Sequence, residues 1–277
     1  MIHTEPEVII LADSINESGN RITTFQLKYW RPIHSEVLRH RAFSHSVRSS
    51  RACPSSIYID EVSKEPWGPA EWGSNQKGMV PGKEIENTEI TKKLWEQAAK
   101  GAALVATAFN TLNVHKQITN RILEPYTYVY DVMTGTEWDN FYALRCAPDA
   151  QKEIQILANK MKKAQEESKP KILKYSELHL PYIPDTEDYW FKYTREQLIK
   201  ISAARCARVS YKLFDGSTSP EKDLELAERL IASNHWSPFE HQAYADPEKE
   251  NKEAWGNLVG WAQYRKIFEK TKKQQKK

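Results

Sequence analysis

From Arg39 to Arg51 the chain reads Arg-His-Arg-Ala-Phe-Ser-His-Ser-Val-Arg-Ser-Ser-Arg, which places four arginines, two histidines and four serines in thirteen residues. Guanidinium groups offer fixed forks of donors that match phosphate oxygens, and serine hydroxyls with backbone amides add short donors. The segment therefore suits phosphate binding. It suits a solvated basic helix end and loop equally well. A nucleic-acid patch is a third reading, although stacking aromatics beyond Phe43 are missing. Arg145 lies just ahead of a helix for which Asp149 is a suitable N-cap, so it either points into a cleft or pairs with a surface acid. His235 and His241 stand six apart, which is not the spacing of a helical zinc pair, and no metal site is expected. Ser49 has no evident base beside it and reads as a phosphate or base ligand, not as a nucleophile.

The cysteines exclude other chemistry. Cys53, Cys146 and Cys206 are odd in number, far apart and without a CxxC pair, so neither a disulfide framework nor a zinc ribbon is supported. Cys146, beside Arg145, reads as a structural thiol. The chain has 277 residues, 40% of them apolar, and a net charge of +3. That length buries a core, and the composition is not that of a disordered chain. No run approaches the roughly 20 apolar residues of a membrane helix, and no basic-then-apolar leader opens the chain. A cytoplasmic protein is expected.

These residues need elements to hold them. Glu7 to Leu11 reads as a buried strand, and Asn16 to Asn20 as a turn. Thr23, Phe25, Leu27 and Tyr29 alternate with Thr24, Gln26 and Lys28, as in a half-buried strand pairing with the first in a hairpin. Pro32 opens a helix with Ile33 and Val37 on one stripe, ending near Arg39-His40-Arg41. Residues 52–88 read as a long insertion loop carrying Trp67 and Trp72. A helix over about 88–111 has Leu94, Ala98, Val105 and Ala108 near one face. Another runs from Asp149, and Lys162 to Lys174 reads as its end and a linker. Pro181 to Tyr189 is irregular, Ile199 to Tyr211 reads as helix then strand, and Ser219-Pro220 caps a further helix. Strands and helices mix without a βαβ rhythm, which points to an α+β fold in a single domain over 1–269, with 270–277 as a disordered basic tail.

Four blocks together resemble the flavin-dependent thymidylate synthases. Arg39-His40-Arg41, seven residues and Ser49 match the signature of that family, and Arg51 falls where the family has an arginine. Asn140-Phe141, Leu144-Arg145 and Ala150-Gln151-Lys152-Glu153-Ile154 are similar to its N-F-x-x-L-R … A-Q-x-E-I segment. His235-Trp236-Ser237-Pro238-Phe239-Glu240-His241 is similar to H-x-[ST]-P-F-E-H. Ala203 to Tyr211 is similar to A-A-R-V-S-Y, with an insertion or read from the second Ala-Arg. The last two blocks normally come first, so the resemblance implies a circularly permuted member. Permutation is physically easy where chain ends lie close together. It requires Ala243–Ala245 to lie near the strand around Thr23–Tyr29.

The resemblance implies a twisted sheet flanked by helices, a homotetramer with shared sites, and methylation of dUMP. Methylenetetrahydrofolate is the carbon donor and NADPH-reduced FAD the reductant. Arg39, His40, Arg41, Asn140, His235, Ser237 and Glu240 would contact the flavin. Glu36, Ser49, Ser50, Arg51 and Arg121 would hold dUMP. Arg145 would pair with the pyrimidine and stabilise negative charge at its N3. No membrane or nucleic-acid partner is implied. Several positions depart from the pattern. Val47 stands where an acid is frequent, Glu36 where glutamine is common, Asp149 where histidine is frequent, and Thr134-Gly135-Thr136 where Asn-x-Arg contributes to flavin binding. These departures leave open a modified-pyrimidine product such as hydroxymethyl-dUMP, and an inactive relative.

Overall fold

The computed structural model describes the whole chain except residues 212–213, 247–248 and 276–277. In chain order its elements are β1 (Glu7–Asn16), β2 (Arg21–Trp30), α1 (His34–Leu38), β3 (Ser44–Val47), α2 (Ser55–Lys64), α3 (Thr88–Thr111), α4 (Lys116–Thr119), β4 (Tyr128–Gly135), α5 (Asp139–Arg145), α6 (Lys152–Glu167), β5 (Lys171–Leu173), β6 (Leu178–His179), α7 (Glu187–Lys192), α8 (Arg195–Arg208), α9 (Pro220–Ala232), β7 (Ala243–Ala245), β8 (Trp261–Gln263) and α10 (Tyr264–Gln275). The arrangement is α+β, as expected. A five-stranded mixed sheet runs β3-β4-β2-β1-β5, antiparallel except for the parallel β1/β5 edge, and a small antiparallel sheet runs β6-β7-β8.

The β1–β2 hairpin forms where the turn chemistry sits. Asn16 Oδ1 accepts from the amides of Ser18 and Asn20, and Gly19 takes a φ of 81° that a side chain would resist. Phe25 and Leu27 of β2 with Val129 and Met133 of β4 face Ile154, Leu157 and Met161 of α6. On the other face Val132 meets Cys206 and Val209 at the end of α8. The expectation of a half-buried β2 is therefore corrected: Thr23, Thr24, Phe25 and Leu27 are all buried, because both faces of β2 are covered, whereas Glu7–Leu11 of β1, expected to be buried, is not, and Ile9 is 49% exposed.

Elsewhere the structure differs from the sequence reading. The span 52–88 is not one loop, since α2 lies within it and buries Tyr58 and Val62 against Ala99, Ala103 and Ala106 of α3. The buried face of α3 is that alanine stripe, while Leu94, Leu104 and Val105 point outward and are 57%, 72% and 46% exposed. Small residues let α2 approach closely, so the larger side chains fall on the opposite side. The N-cap of α6 is Gln151, not Asp149. α6 runs on through Glu167, and residues 209–211, directly after α8, form a turn where a strand is expected; α8 itself starts in a capping box made by Thr194 and Gln197. Residues 187–192 form α7. The basic tail is helical through Gln275 as part of α10, and its last two lysines lie outside the described residues. Among the described residues no helix is long and apolar enough to cross a membrane.

Candidate active site

The segment from β2 to β3 is held by an aromatic clamp. Pro32 opens a 3-10 turn that leads into the short α1, and His40 N donates to the carbonyl of Val37. Phe43 then turns inward, stacks on Trp138 at 4.3 Å and meets Phe141 edge-on. Its ring lies against Gly135 at the end of β4, where a Cβ would come within 2.4 Å of Phe43 Cδ1. With Phe43 fixed, Arg39, His40 and Arg41 line one cavity of about 320 Å³ together with Asn140 and Glu137.

Arg145, the last residue of α5, reaches this cluster from behind. Its Nε donates to His40 Nε2 at 2.9 Å, and its Nη2 lies 3.6 Å from Glu36 Oε2 and donates to the Glu36 carbonyl at 3.4 Å. Glu36 also pairs with Arg39 at 3.2 Å. Since a guanidinium can only donate, His40 Nε2 is an acceptor and the ring carries its proton on Nδ1. Burial, and then the Arg145 charge, lower the His40 pKa, so the ring is neutral near pH 7.

Arg41 and Phe43 also border a second cavity of about 580 Å³, whose other walls include Glu240, Arg265, Lys266 and Asn257. Arg265 forms an ion pair with Glu240. The two cavities thus lie on either side of Arg41. His235 and Ser237 are exposed beyond α9 and line neither. Arg265 and Lys266 were not singled out in the sequence, where they sit in an unremarkable basic stretch and only folding brings them beside Arg41.

The remaining expected substrate residues lie apart from these two cavities. Ser49 is half-buried and accepts from the Arg51 amide at 3.3 Å, Ser50 is buried, and Arg51 is exposed. Arg48 in the same segment has a structural role: it is buried, makes a bidentate pair with Glu61 at 3.0 Å and lies over the rings of Tyr58 and Tyr128. Arg121 is exposed, pairs with Glu124 and lines a third cavity of about 370 Å³ with Arg31, His34 and Ser35. α1 therefore separates the Arg121 group from the Arg145 group. Among the departures, Val47 packs against the main core, Asp149 is exposed, Thr134 is buried, and Thr136 Oγ1 accepts from the amide of Val259.

The four blocks, distant in the chain, meet along the Arg39–Arg51 segment. Ser49 N donates to Ser210 O at 3.0 Å, and His241 Nε2 hydrogen-bonds Ser46 Oγ at 2.9 Å. A chain of buried polar groups runs on from there, through His241, Thr134, Thr24 and His179 to Ser14, each link between 2.7 and 3.0 Å. Ile22, at the start of β2, shares a buried cluster with Ala243 and Ala245 of β7. A profile of the Thy1 family, described as thymidylate synthase complementing protein, matches residues 21–171, more than half of the chain. The chain belongs to the Thy1 family. The match covers β2 to the start of β5, with the Arg39–Arg51 and Asn140–Ile154 blocks inside it and the other two outside. Compared one by one, curated protein sequences give no match. Among solved structures, the UMP/dUMP methylase PolB from Streptomyces cacaoi bound with 5-Br dUMP is 14% identical, covering 59% of this chain and 90% of that one at a TM-score of 0.49. The same methylase bound with 5-Br UMP is 17% identical over the same shares and at the same TM-score. The flavin-dependent thymidylate synthase ThyX from Helicobacter pylori, complexed with FAD and dUMP, is 18% identical, covering 52% and 67% at a TM-score of 0.37. These likenesses are remote, and membership of the Thy1 family rests on the match over 21–171.

Proposed function

We propose that this Thy1 protein methylates dUMP reductively, with methylenetetrahydrofolate as carbon donor and FAD, reduced by NADPH, as cofactor. One observation carries the reading. Arg39, His40, Arg41 and Asn140 line a single cavity, with Arg145 bonded to its histidine. The donor set fits the flavin dinucleotide: guanidinium groups suit a diphosphate, while neutral His40 and the edge of Phe141 suit a flat ring. Arg39, His40, Arg41 and Asn140 would hold FAD, which supplies the reducing equivalents. Glu240, on the far side of Arg41, belongs to the same surface, with His235 and Ser237 beyond it.

Within the chain, Arg145 is the residue assigned to the pyrimidine. Bonds to His40 and Glu36 fix its guanidinium, and a fixed cation favours the N3 anion of uracil. Ser49 and Arg51 are the accessible donors for the phosphate, since the Ser50 side chain is buried. Glu36 orients Arg145, and Arg121 is the second dUMP arginine. Ser49 and Arg51 lie outside the three cavities described above, and outward Leu94, Leu104 and Val105 leave α3 with an apolar face. Both features favour sites completed between subunits, as in a homotetramer. The block order favours a circularly permuted gene. A hydroxymethyl product is the second reading, kept because Val47 offers no polar atom where an acid is frequent.

The test is the visible absorbance of the purified protein after addition of FAD and dUMP and removal of free flavin. Retained flavin, increased by dUMP, is expected. Flavin lost under every condition overturns the reading.

A further inference from the structure

Beside the Arg121 cavity lies a buried cluster for which the family pattern assigns nothing. Asp131, in the middle of β4, is fully buried. One oxygen, Oδ2, takes hydrogen bonds from the Tyr29 hydroxyl and from His45 Nδ1, each at 2.9 Å. Burial alone would raise the pKa of Asp131, but His45 and the other donors around it hold the carboxyl below its usual range, so it is ionised and can only accept. Burial, and then the neighbouring carboxylate, push the Tyr29 hydroxyl well up, so it keeps its proton. That single proton is given to Asp131.

The consequence falls on His34. Its Nδ1 lies 2.9 Å from the Tyr29 oxygen. With the tyrosine proton already committed, this oxygen accepts and His34 Nδ1 donates. Burial lowers the His34 pKa, so the ring is neutral and its Nε2 carries a bare lone pair. Nδ1 is turned inward to Tyr29, and His34 lines the cavity that also holds Arg31, Ser35, Arg121 and Glu124. Glu124 pairs with both Arg31 and Arg121, at 3.1 and 2.9 Å, which leaves the cavity with one more cation than anion.

We propose that His34 is a nucleotide-binding residue, locked in one tautomer by the Asp131–Tyr29 pair so that Nε2 accepts a hydrogen bond from a sugar hydroxyl of the nucleotide held by Arg121. This rests on the reading of Arg121 as a dUMP ligand. A nucleoside monophosphate of this kind carries two such donors, the imide N3–H of the base and the sugar 3′-hydroxyl, and with N3 assigned to Arg145 on the other side of α1 the partner is the 3′-hydroxyl. Asp131 and Tyr29 are positioning residues that act through the imidazole.

The test uses the full chain with FAD. Binding of dUMP, N3-methyl-dUMP and 2′,3′-dideoxy-UMP is measured by calorimetry for the native protein and His34→Ala, and the tautomer of His34 is read from imidazole ¹⁵N shifts in the native protein and Tyr29→Phe. The native ring should show a protonated Nδ1 and a bare Nε2, and Tyr29→Phe should shift it toward the other tautomer. His34→Ala should weaken dUMP roughly three- to tenfold, the loss of one hydrogen bond. 2′,3′-Dideoxy-UMP, which lacks the partner hydroxyl, should bind both proteins alike, while N3-methyl-dUMP should lose affinity in His34→Ala as dUMP does. Equal dUMP affinity in the two proteins, 2′,3′-dideoxy-UMP losing affinity as dUMP does, or a native ring protonated on Nε2 each overturns the proposal alone. A native protein that binds none of the three nucleotides overturns the parent reading and this one with it.

Discussion

His179 and His241 make stability depend on pH in a calculable way. Both are fully buried, and burial is the largest cause that takes each pKa down to about 3. As neutral rings both are fully hydrogen-bonded, to Ser14 and Thr24 for His179 and to Thr134 and Ser46 for His241. In the unfolded chain each titrates near 6.5. The folded pKa is the lower one, so the unfolded state takes up protons first as pH falls. The stability these rings confer is complete above about 6.5 and is lost as pH drops below it. Between pH 7.5 and 5.0 each ring costs about 2 kcal/mol, and the pair about 4 kcal/mol. His34 and His40, also lowered, add to the loss. His45 is raised through Asp131, so it acts in the opposite sense, stabilising the fold more as pH falls toward 6.5 and offsetting part of the loss. A loss of this size is a large share of ordinary domain stability. Urea unfolding at a series of pH values reads it directly, and His241→Asn should lose about half of the slope whatever its stability at pH 7.5. A curve flat between pH 7.5 and 5.0 would refute the buried-histidine network.

Other predictions concern single residues. Asp223 is fully buried between Arg205 and Arg208, at 2.8 and 2.9 Å. Asp223→Ala should cost about 3–5 kcal/mol by leaving two cations unpaired, and a thermal melt close to that of the native protein would contradict the pair's role. Gly135→Ala should displace Phe43, cost about 1–3 kcal/mol by overpacking and weaken flavin retention; unchanged melting and flavin content would contradict the clamp. Arg145→Ala should keep flavin while turnover falls on the order of 100-fold or more, the loss of one charge-stabilising donor; full turnover would remove Arg145 from the reaction. Burial pushes the Cys146 thiol up, so Cys146→Ser should leave turnover unchanged, and a large loss would call for a thiol step.

Much of this site was legible because its parts are local. Arg39-His40-Arg41 and Leu144-Arg145 are short words whose residue types state their chemistry, and the long periodic stretch 88–111 gave a helix with those bounds. What sequence could not supply was the choice among equals. Arg48 and Arg51 look alike in the chain, and only the approach of α2 with Glu61 makes one a buried strut and leaves the other in solvent. The outward face of α3 was misjudged because periodicity finds a stripe but not which stripe has a neighbour. Thr134 stands where the family has a flavin-binding asparagine, but it is buried and bonded to Thr24 and His241. Asp131, Tyr29 and His34 carry no motif, and their relation exists only through the register of β2 and β4, with α1 packed beside them.

The central claim is tested most directly by incubating the protein with FAD, NADPH, methylenetetrahydrofolate and dUMP, then identifying the nucleotide by mass spectrometry. The account predicts a product one methyl group heavier than dUMP, formed only when all four are present. Unchanged dUMP in a flavin-loaded protein, or a hydroxymethyl nucleotide, would contradict it.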